Sequence, residues 1–131
     1  MNNFYLALLV VAVSMTGCKK AQPPASGVTE DAVGLPFYPS STEWGTGSRV
    51  IQDNGVTLAA SARETTDAPD KVIAFYKKKL QDAKTVANGL GDLVHTNVSG
   101  KTKDGSDAEV LVMKLPQQKT QIFVSVRRHP K

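Results

Sequence analysis

The stretch Asp67-Ala68-Pro69-Asp70-Lys71-Val72-Ile73-Ala74-Phe75-Tyr76-Lys77-Lys78-Lys79-Leu80-Gln81-Asp82-Ala83-Lys84 decides the fold of this chain. Its apolar residues Val72, Ile73, Tyr76, Leu80 and Ala83 form one stripe at a period of 3.6, with Phe75 on the flank. Its start carries helix signals. Asp67 can cap free backbone amides, Pro69 suits the first turn, and Asp70 complements the positive end of the helix dipole. The spacing predicts one amphipathic helix that runs to about Lys84. A stripe of this kind must be buried against another layer.

The residues on either side supply that layer. Glu43 to Gln52 reads as a weak first strand, with Trp44, Val50 and Ile51 around Gly45-Thr46-Gly47-Ser48. Asp53-Asn54-Gly55 then signals a tight hairpin, because Asn-Gly accepts the positive φ values of a type I′ turn. From Val56 to Glu64, Val56, Leu58, Ala60 and Ala62 alternate with Thr57, Ala59, Ser61 and Arg63, as in a half-buried strand. Beyond the helix, Asn88-Gly89-Leu90-Gly91 breaks the chain. Strands follow at Asp92 to Ser99, Ala108 to Leu115 and Gln121 to Arg128, joined by polar turns. The expected order is ββαβββ. This is an α+β fold, an antiparallel sheet of about five strands with one amphipathic helix packed on one face. A single helix cannot cover both faces of such a sheet, so the sheet edge or the open face is the expected working surface.

The chain has 131 residues, with 16 Lys and Arg against 12 Asp and Glu, for a net charge of +4. That length suits one domain with a modest core and no need of disulfides or a metal. The charge is ordinary for a soluble domain and at most attracts anionic surfaces weakly. The basic residues are not interleaved with aromatics, which argues against nucleic acid as a partner.

The N-terminus carries a different message. Met15-Thr16-Gly17-Cys18 follows the apolar run Phe4 to Val13. A spanning helix needs about 20 apolar residues, so this shorter run fits the core of a signal peptide instead. The segment resembles the lipobox of bacterial lipoprotein signal peptides. The resemblance implies that residues 1–17 are removed. It also implies that Cys18, the single cysteine, is lipidated on its thiol and becomes the first residue. The membrane is then a partner through acyl chains such as palmitate, each buried methylene contributing about 0.8 kcal/mol. Lys19 stands where an Asp usually signals inner-membrane retention. The expected location is therefore the cell envelope, at the outer membrane facing the periplasm if the cell is Gram-negative.

Residues 18–33 include Pro23-Pro24 and Ser26-Gly27 and lack an apolar period, so they are expected to form a disordered tether. Residues 34–131 are the expected single globular domain. It opens on Gly34-Leu35-Pro36-Phe37-Tyr38-Pro39, which the prolines keep extended and which lays Leu35, Phe37 or Tyr38 on the core. Leu35-Pro36-Phe37-Tyr38-Pro39, Val72-Ile73-Ala74-Phe75-Tyr76 and Thr120-Gln121-Ile122 follow in an order similar to that of small, largely uncharacterised bacterial lipoproteins. In those, a Leu-Pro-x-Tyr-Pro segment precedes a helix bearing Val-x-x-Phe-Tyr. The resemblance implies a shared fold and location, and no activity.

Few residues carry recognisable chemistry. Lys71, Lys77, Lys78 and Lys84 are the candidates for meeting an anionic lipid or glycan, with Lys77 and Lys84 on one flank of the helix. Consecutive lysines spread over about 200° of a helix, so the bland alternative is a solvated outer face. His95 and His129 are the two histidines, and no His or Cys cluster has zinc-ligand spacing. Ser61, His95 and Asp92 offer the residue types of a hydrolase, without a Gly-x-Ser-x-Gly elbow. Asp104-Gly105-Ser106-Asp107 with Glu109 offers oxygen ligands but lacks the spacing of a calcium loop, and reads as a hairpin turn. No cofactor or metal and no enzyme activity is expected. The reading is a lipid-anchored binding or scaffolding module for an envelope protein partner. The alternatives are a module for anionic glycan or lipid and, third, a hydrolase.

Overall fold

The computed structural model describes residues 28–45, 48–90 and 93–131. The expected signal peptide, Cys18 and the tether as far as residue 27 lie outside the described residues, as does Asp92. The fold is α+β and mostly antiparallel sheet. In chain order its elements are α1 (Glu30–Val33), β1 (Thr42–Glu43), β2 (Arg49–Asp53), β3 (Val56–Thr65), α2 (Pro69–Lys79), β4 (Gln81–Leu90), β5 (Leu93–Lys101), β6 (Asp107–Lys114) and β7 (Thr120–Arg128). The seven strands exceed the five expected.

The excess has two sources. The first expected strand is split. Thr42 and Glu43 pair with Glu64 and Arg63, while Arg49 to Asp53 pair with Ala60 to Val56. β1 and β2 thus lie end to end along one edge of β3. The second source is β4. Helix α2 ends at Lys79 rather than near Lys84, Leu80 is extended (φ −96°, ψ 139°), and Gln81–Leu90 becomes the far edge of the sheet. Leu80 and Ala83 still reach the core, but from extended chain. Lys77, Lys78 and Lys79 fill the last helical turn, where positive charge complements the dipole. The β-branched pair Thr85-Val86 then favours a strand.

From one edge to the other the order is β1 and β2, β3, β7, β6, β5, β4, with every pairing antiparallel. The β2–β3 turn has Asn54 at φ 50° and Gly55 at φ 81°, the backbone its sequence predicted. Helix α2 carries the chain from β3 to the far edge, packing across β6, β5 and β4. At the crossing, β4 begins with an irregular register between Gln81 and Lys84, and Asp82 takes φ 52°. Gly100 on β5 makes this approach feasible. A Cβ there would lie 2.6 Å from the Gln81 carbonyl oxygen.

The core lies between α2 and one sheet face. Val72, Tyr76 and Leu80 from the helix side meet Val98, Val110, Val112, Ile122, Val124 and Val126. Full burial of an aliphatic side chain of this size contributes about 1.5–3 kcal/mol. The fold also begins earlier than position 34. Thr29 caps α1, Val33 is fully buried, and Val28 packs against the core. Arg128 Nη1 donates to the Ala32 carbonyl (2.9 Å), tying α1 to β7. The segment after α1 lays Leu35 and Tyr38 into the core as expected, with Phe37 half-buried.

The start of α2 differs from its sequence reading. The N-cap is Ala68, with no side-chain cap. Asp67 instead accepts a hydrogen bond from the Tyr38 hydroxyl (2.6 Å), which raises the Tyr38 pKa. Arg63 donates to Ser41 Oγ (2.7 Å) and to its carbonyl (2.8 Å), and stacks on Phe37 at 4.3 Å.

Candidate functional site

Strand alternation divides the sheet into two surfaces. On the face opposite α2, pairing register lines up three rows. One contains Ile51, Leu58, Arg127, Asp107 and Lys101. The next contains Arg49, Ala60, Ser125, Glu109, Ser99 and Lys84. The third contains Ala62, Phe123, Leu111, Asn97 and Val86. Trp44 joins the third row edge-on to Phe123, with ring centres 5.7 Å apart. Ala62 is buried beneath the two rings, whereas Trp44 is 39% and Val86 56% exposed. Neither helix packs on this side, so the face that the sequence argument left open is open.

The two charged rows form a groove of about 500 Å³, lined among others by Asp82, Lys84, Glu109 and Arg127. Lys101 and Asp107 pair across β5 and β6, and Lys101 holds the Asp107 carboxyl below its ordinary pKa. His129 Nε2 approaches Asp107 at 3.5 Å. Among the described residues no ion pair involves Lys84, Glu109 or Arg127. The groove therefore presents both signs of charge beside an aromatic and aliphatic row.

A second concavity, of about 420 Å³, lies on the outer flank of α2. Lys71 and Lys78 border it, with Ala74 and Phe75 from the helix and Tyr38, Pro39 and Ser40 from the segment before β1. Tyr38 and Phe75 meet edge to face at 5.5 Å, and Lys79 lies over the Phe75 ring at 5.5 Å. Two of the four candidate lysines are thus together. Lys77 is exposed on α2 without bordering the groove. Lys84 shares no helical flank with Lys77, because it stands on β4 and lines the opposite face of the sheet.

The other candidates disperse. Ser61 is buried on the α2 side opposite Val124, whereas His95 lies on the open face opposite Met113. The sheet separates them, so the imagined hydrolase grouping is not assembled. The loop at Asp104 is a self-satisfied turn. Its carboxylate accepts from the Thr102 hydroxyl and from the Ser106 amide (3.1 Å), which lowers its pKa to about 2. Among the described residues no group of three or more His, Cys, Asp or Glu can hold a metal ion. No helix among them is long and apolar enough to cross a membrane.

The aromatic row was not singled out from the sequence. Its signal is present, because Phe123 alternates with Ile122 and Val124, and Leu111 with Val110 and Val112. An alternation in which both phases are apolar marks a strand with something to cover on either side. No family model, curated protein or solved structure matches the chain.

Proposed function

We propose that this protein is a lipid-anchored module of the bacterial cell envelope, held through Cys18, whose open sheet face binds or scaffolds another envelope protein. The observation that carries the binding half is the row Trp44, Phe123, Leu111 and Val86, its ends Trp44 and Val86 exposed and its middle half-buried, beside Lys84, Glu109 and Arg127. An aromatic and aliphatic centre with a charged rim is how protein interfaces are built. The anchoring half rests on the lipobox resemblance at Met15-Thr16-Gly17-Cys18. Lys19, where an Asp would signal inner-membrane retention, supports the periplasmic side of the outer membrane in a Gram-negative cell.

The test is cross-linking in intact cells, with Cys18→Ala to remove the anchor and Leu111→Glu to spoil the open face. A discrete protein neighbour is expected, lost in both variants. A neighbour retained in Leu111→Glu, or none at all, removes the open face as the working surface.

A second reading draws on the α2 flank. Lys71 and Lys78 on either side of Phe75 suit an anionic headgroup or sugar acid resting on a ring. It predicts salt-sensitive retention on anionic vesicles, because exposed charge pairs are screened by salt. Retention unchanged in Lys71→Glu/Lys78→Glu eliminates it.

A further inference from the structure

The two edges of the sheet are not equivalent. β4 starts with a register irregularity, has Asp82 at positive φ, and carries Lys84. Bulges and edge lysines discourage the addition of another strand. β2 has no irregularity in its pairing, no proline and no lysine. Its five residues, Arg49-Val50-Ile51-Gln52-Asp53, are all exposed, with Val50 at 45% and Ile51 at 42%.

The direction of its free backbone groups follows from the hairpin. A two-residue type I′ turn closes on a hydrogen-bonded pair, here Asp53 with Val56. Alternation then points the amides and carbonyls of Ile51 and Arg49 toward β3. The amide of Trp44 donates to the Ala62 carbonyl (2.9 Å), the same phase of β3. Val50 and Gln52 are left with N–H and C=O groups aimed out of the sheet.

The strand is also complementary to itself. Arg49 and Asp53 are equidistant from Ile51, opposite in charge, and without an ion pair among the described residues. We infer that β2 is a homodimer seam, on which a second copy lays its own β2 antiparallel with Ile51 opposite the partner's Ile51. In that register Val50 exchanges backbone hydrogen bonds with the partner's Gln52, and the outward-pointing groups are satisfied on both sides of the two-fold axis. Arg49 meets the partner's Asp53, twice by symmetry. The Ile51 position is a non-hydrogen-bonded pair, with Cα atoms about 4.5 Å apart and side chains in close contact. All three side-chain pairs lie on the open face, so the two sheets run on as one. Both copies of α2 then lie on one side and both open faces on the other. Five residues per copy make a small interface, which places the association in the weak class. The seam uses neither Cys18 nor the open-face row, so its failure leaves the proposed function standing.

The test uses the full-length chain with Cys18→Ser and Ile51→Cys, in non-ionic detergent, so that position 51 holds the only thiol. Oxidation is expected to give a disulfide-linked dimer, since the paired Cα spacing suits a disulfide. The control Val86→Cys, on the β4 edge, is expected to give none. Arg49→Asp and Asp53→Arg each place like charges opposite one another and lower the dimer yield about tenfold. Arg49→Asp/Asp53→Arg together restore it. No dimer at position 51, an equal yield at position 86, or no rescue by the double exchange overturns the seam. Sedimentation of the chain with Ile51 intact supplies an independent readout. A concentration-dependent dimer is expected, and a monomer at every concentration, with no change in the charge variants, overturns it equally.

Discussion

The two faces of this sheet are made by the same strands and differ in what they meet. On one face Val110, Val112, Ile122, Val124 and Val126 are almost completely buried under α2 and the N-terminal segment. On the other, one residue along, Leu111, Phe123 and Met113 are only half-buried, and Glu109 and Arg127 are exposed. Burial is worth most where it is complete, because dispersion contacts are then made on every side. The covered face therefore holds the fold together. The open face leaves apolar side chains such as Trp44 and Val86 in contact with solvent, the surface on which the proposed function rests.

The comparison breaks most visibly with a truncation on each face. Ile122→Ala leaves a cavity in the covered face and is expected to cost about 2–5 kcal/mol. Leu111→Ala, removing a side chain of equal size from the open face, is expected to cost about 1 kcal/mol. Urea denaturation of the two variants checks this. Equal losses mean that the open face is part of the core.

A second test concerns the crossing from α2 to β4, where the covered face is closed. Gly100→Ala puts a methyl group 2.6 Å from the Gln81 carbonyl oxygen, with Leu80 Cβ at 3.0 Å, and backbone must move to admit it. Overpacking of this sort costs about 1–3 kcal/mol. At Gly89, on the same edge, an added Cβ meets nothing nearer than 3.9 Å. Gly89→Ala is expected to be neutral. If both are neutral, the crossing is loose and the end of α2 is not set by contact with β5.

That crossing also marks the limit of what the sequence disclosed. The helix stripe, the Asn54-Gly55 turn and the alternation of β7 all follow local rules, and all are seen. The end of α2 does not follow one. Leu80 and Ala83 fit a helical stripe, yet extended chain can bury the same two side chains. What chooses between them is the pairing of β4 with β5, more than ten residues further along. A helix continued to Lys84 sets that lysine beside Lys77, whereas the strand sets it on the opposite surface, so the expected lysine cluster is only half assembled. Helix α1 is illegible in the sequence for another reason. Four residues cannot hold a helix by themselves. Its order comes from Val33 in the core and Arg128 on the Ala32 carbonyl. The openness of the far face was legible from the helix count alone, whereas its aromatic row needed the pairing register.

A smaller effect comes from a defect inside the covered face. Among the described residues the buried Tyr76 hydroxyl makes no well-formed hydrogen bond, only a weak approach to the Tyr38 backbone, and burial pushes the phenol above its ordinary pKa. A buried hydroxyl without a good partner recovers little of its desolvation cost. Tyr76→Phe keeps the ring, with its edge-on contact to Phe75 at 5.0 Å, and is expected to raise stability by about 1 kcal/mol. A loss of stability in urea denaturation shows that the hydroxyl is satisfied in solution.

The smallest expected effect separates two carboxylates at the β5–β6 end of the sheet. Asp104 is lowered to about 2 from 3.8 by hydrogen bonds from Thr102 and Ser106, with Arg128 Nε 3.6 Å away. Asp107, on the open face, is lowered mainly by Lys101. A carboxylate that binds its proton more weakly in the folded state stabilises the fold above its unfolded pKa. That contribution is complete above pH 3.8 for Asp104 and is lost as the pH falls toward about 2. Asp104→Asn is therefore expected to flatten the acid limb of a stability–pH curve. Salt tells the two groups apart. The donors to Asp104 are neutral, so its share of the slope persists at about 1 M salt, where the Debye length is about 3 Å. Asp107 depends on an exposed ion pair, and its share fades under the same conditions. A slope that vanishes altogether in high salt means that the turn around Asp104 is held by charge and not by its own hydrogen bonds.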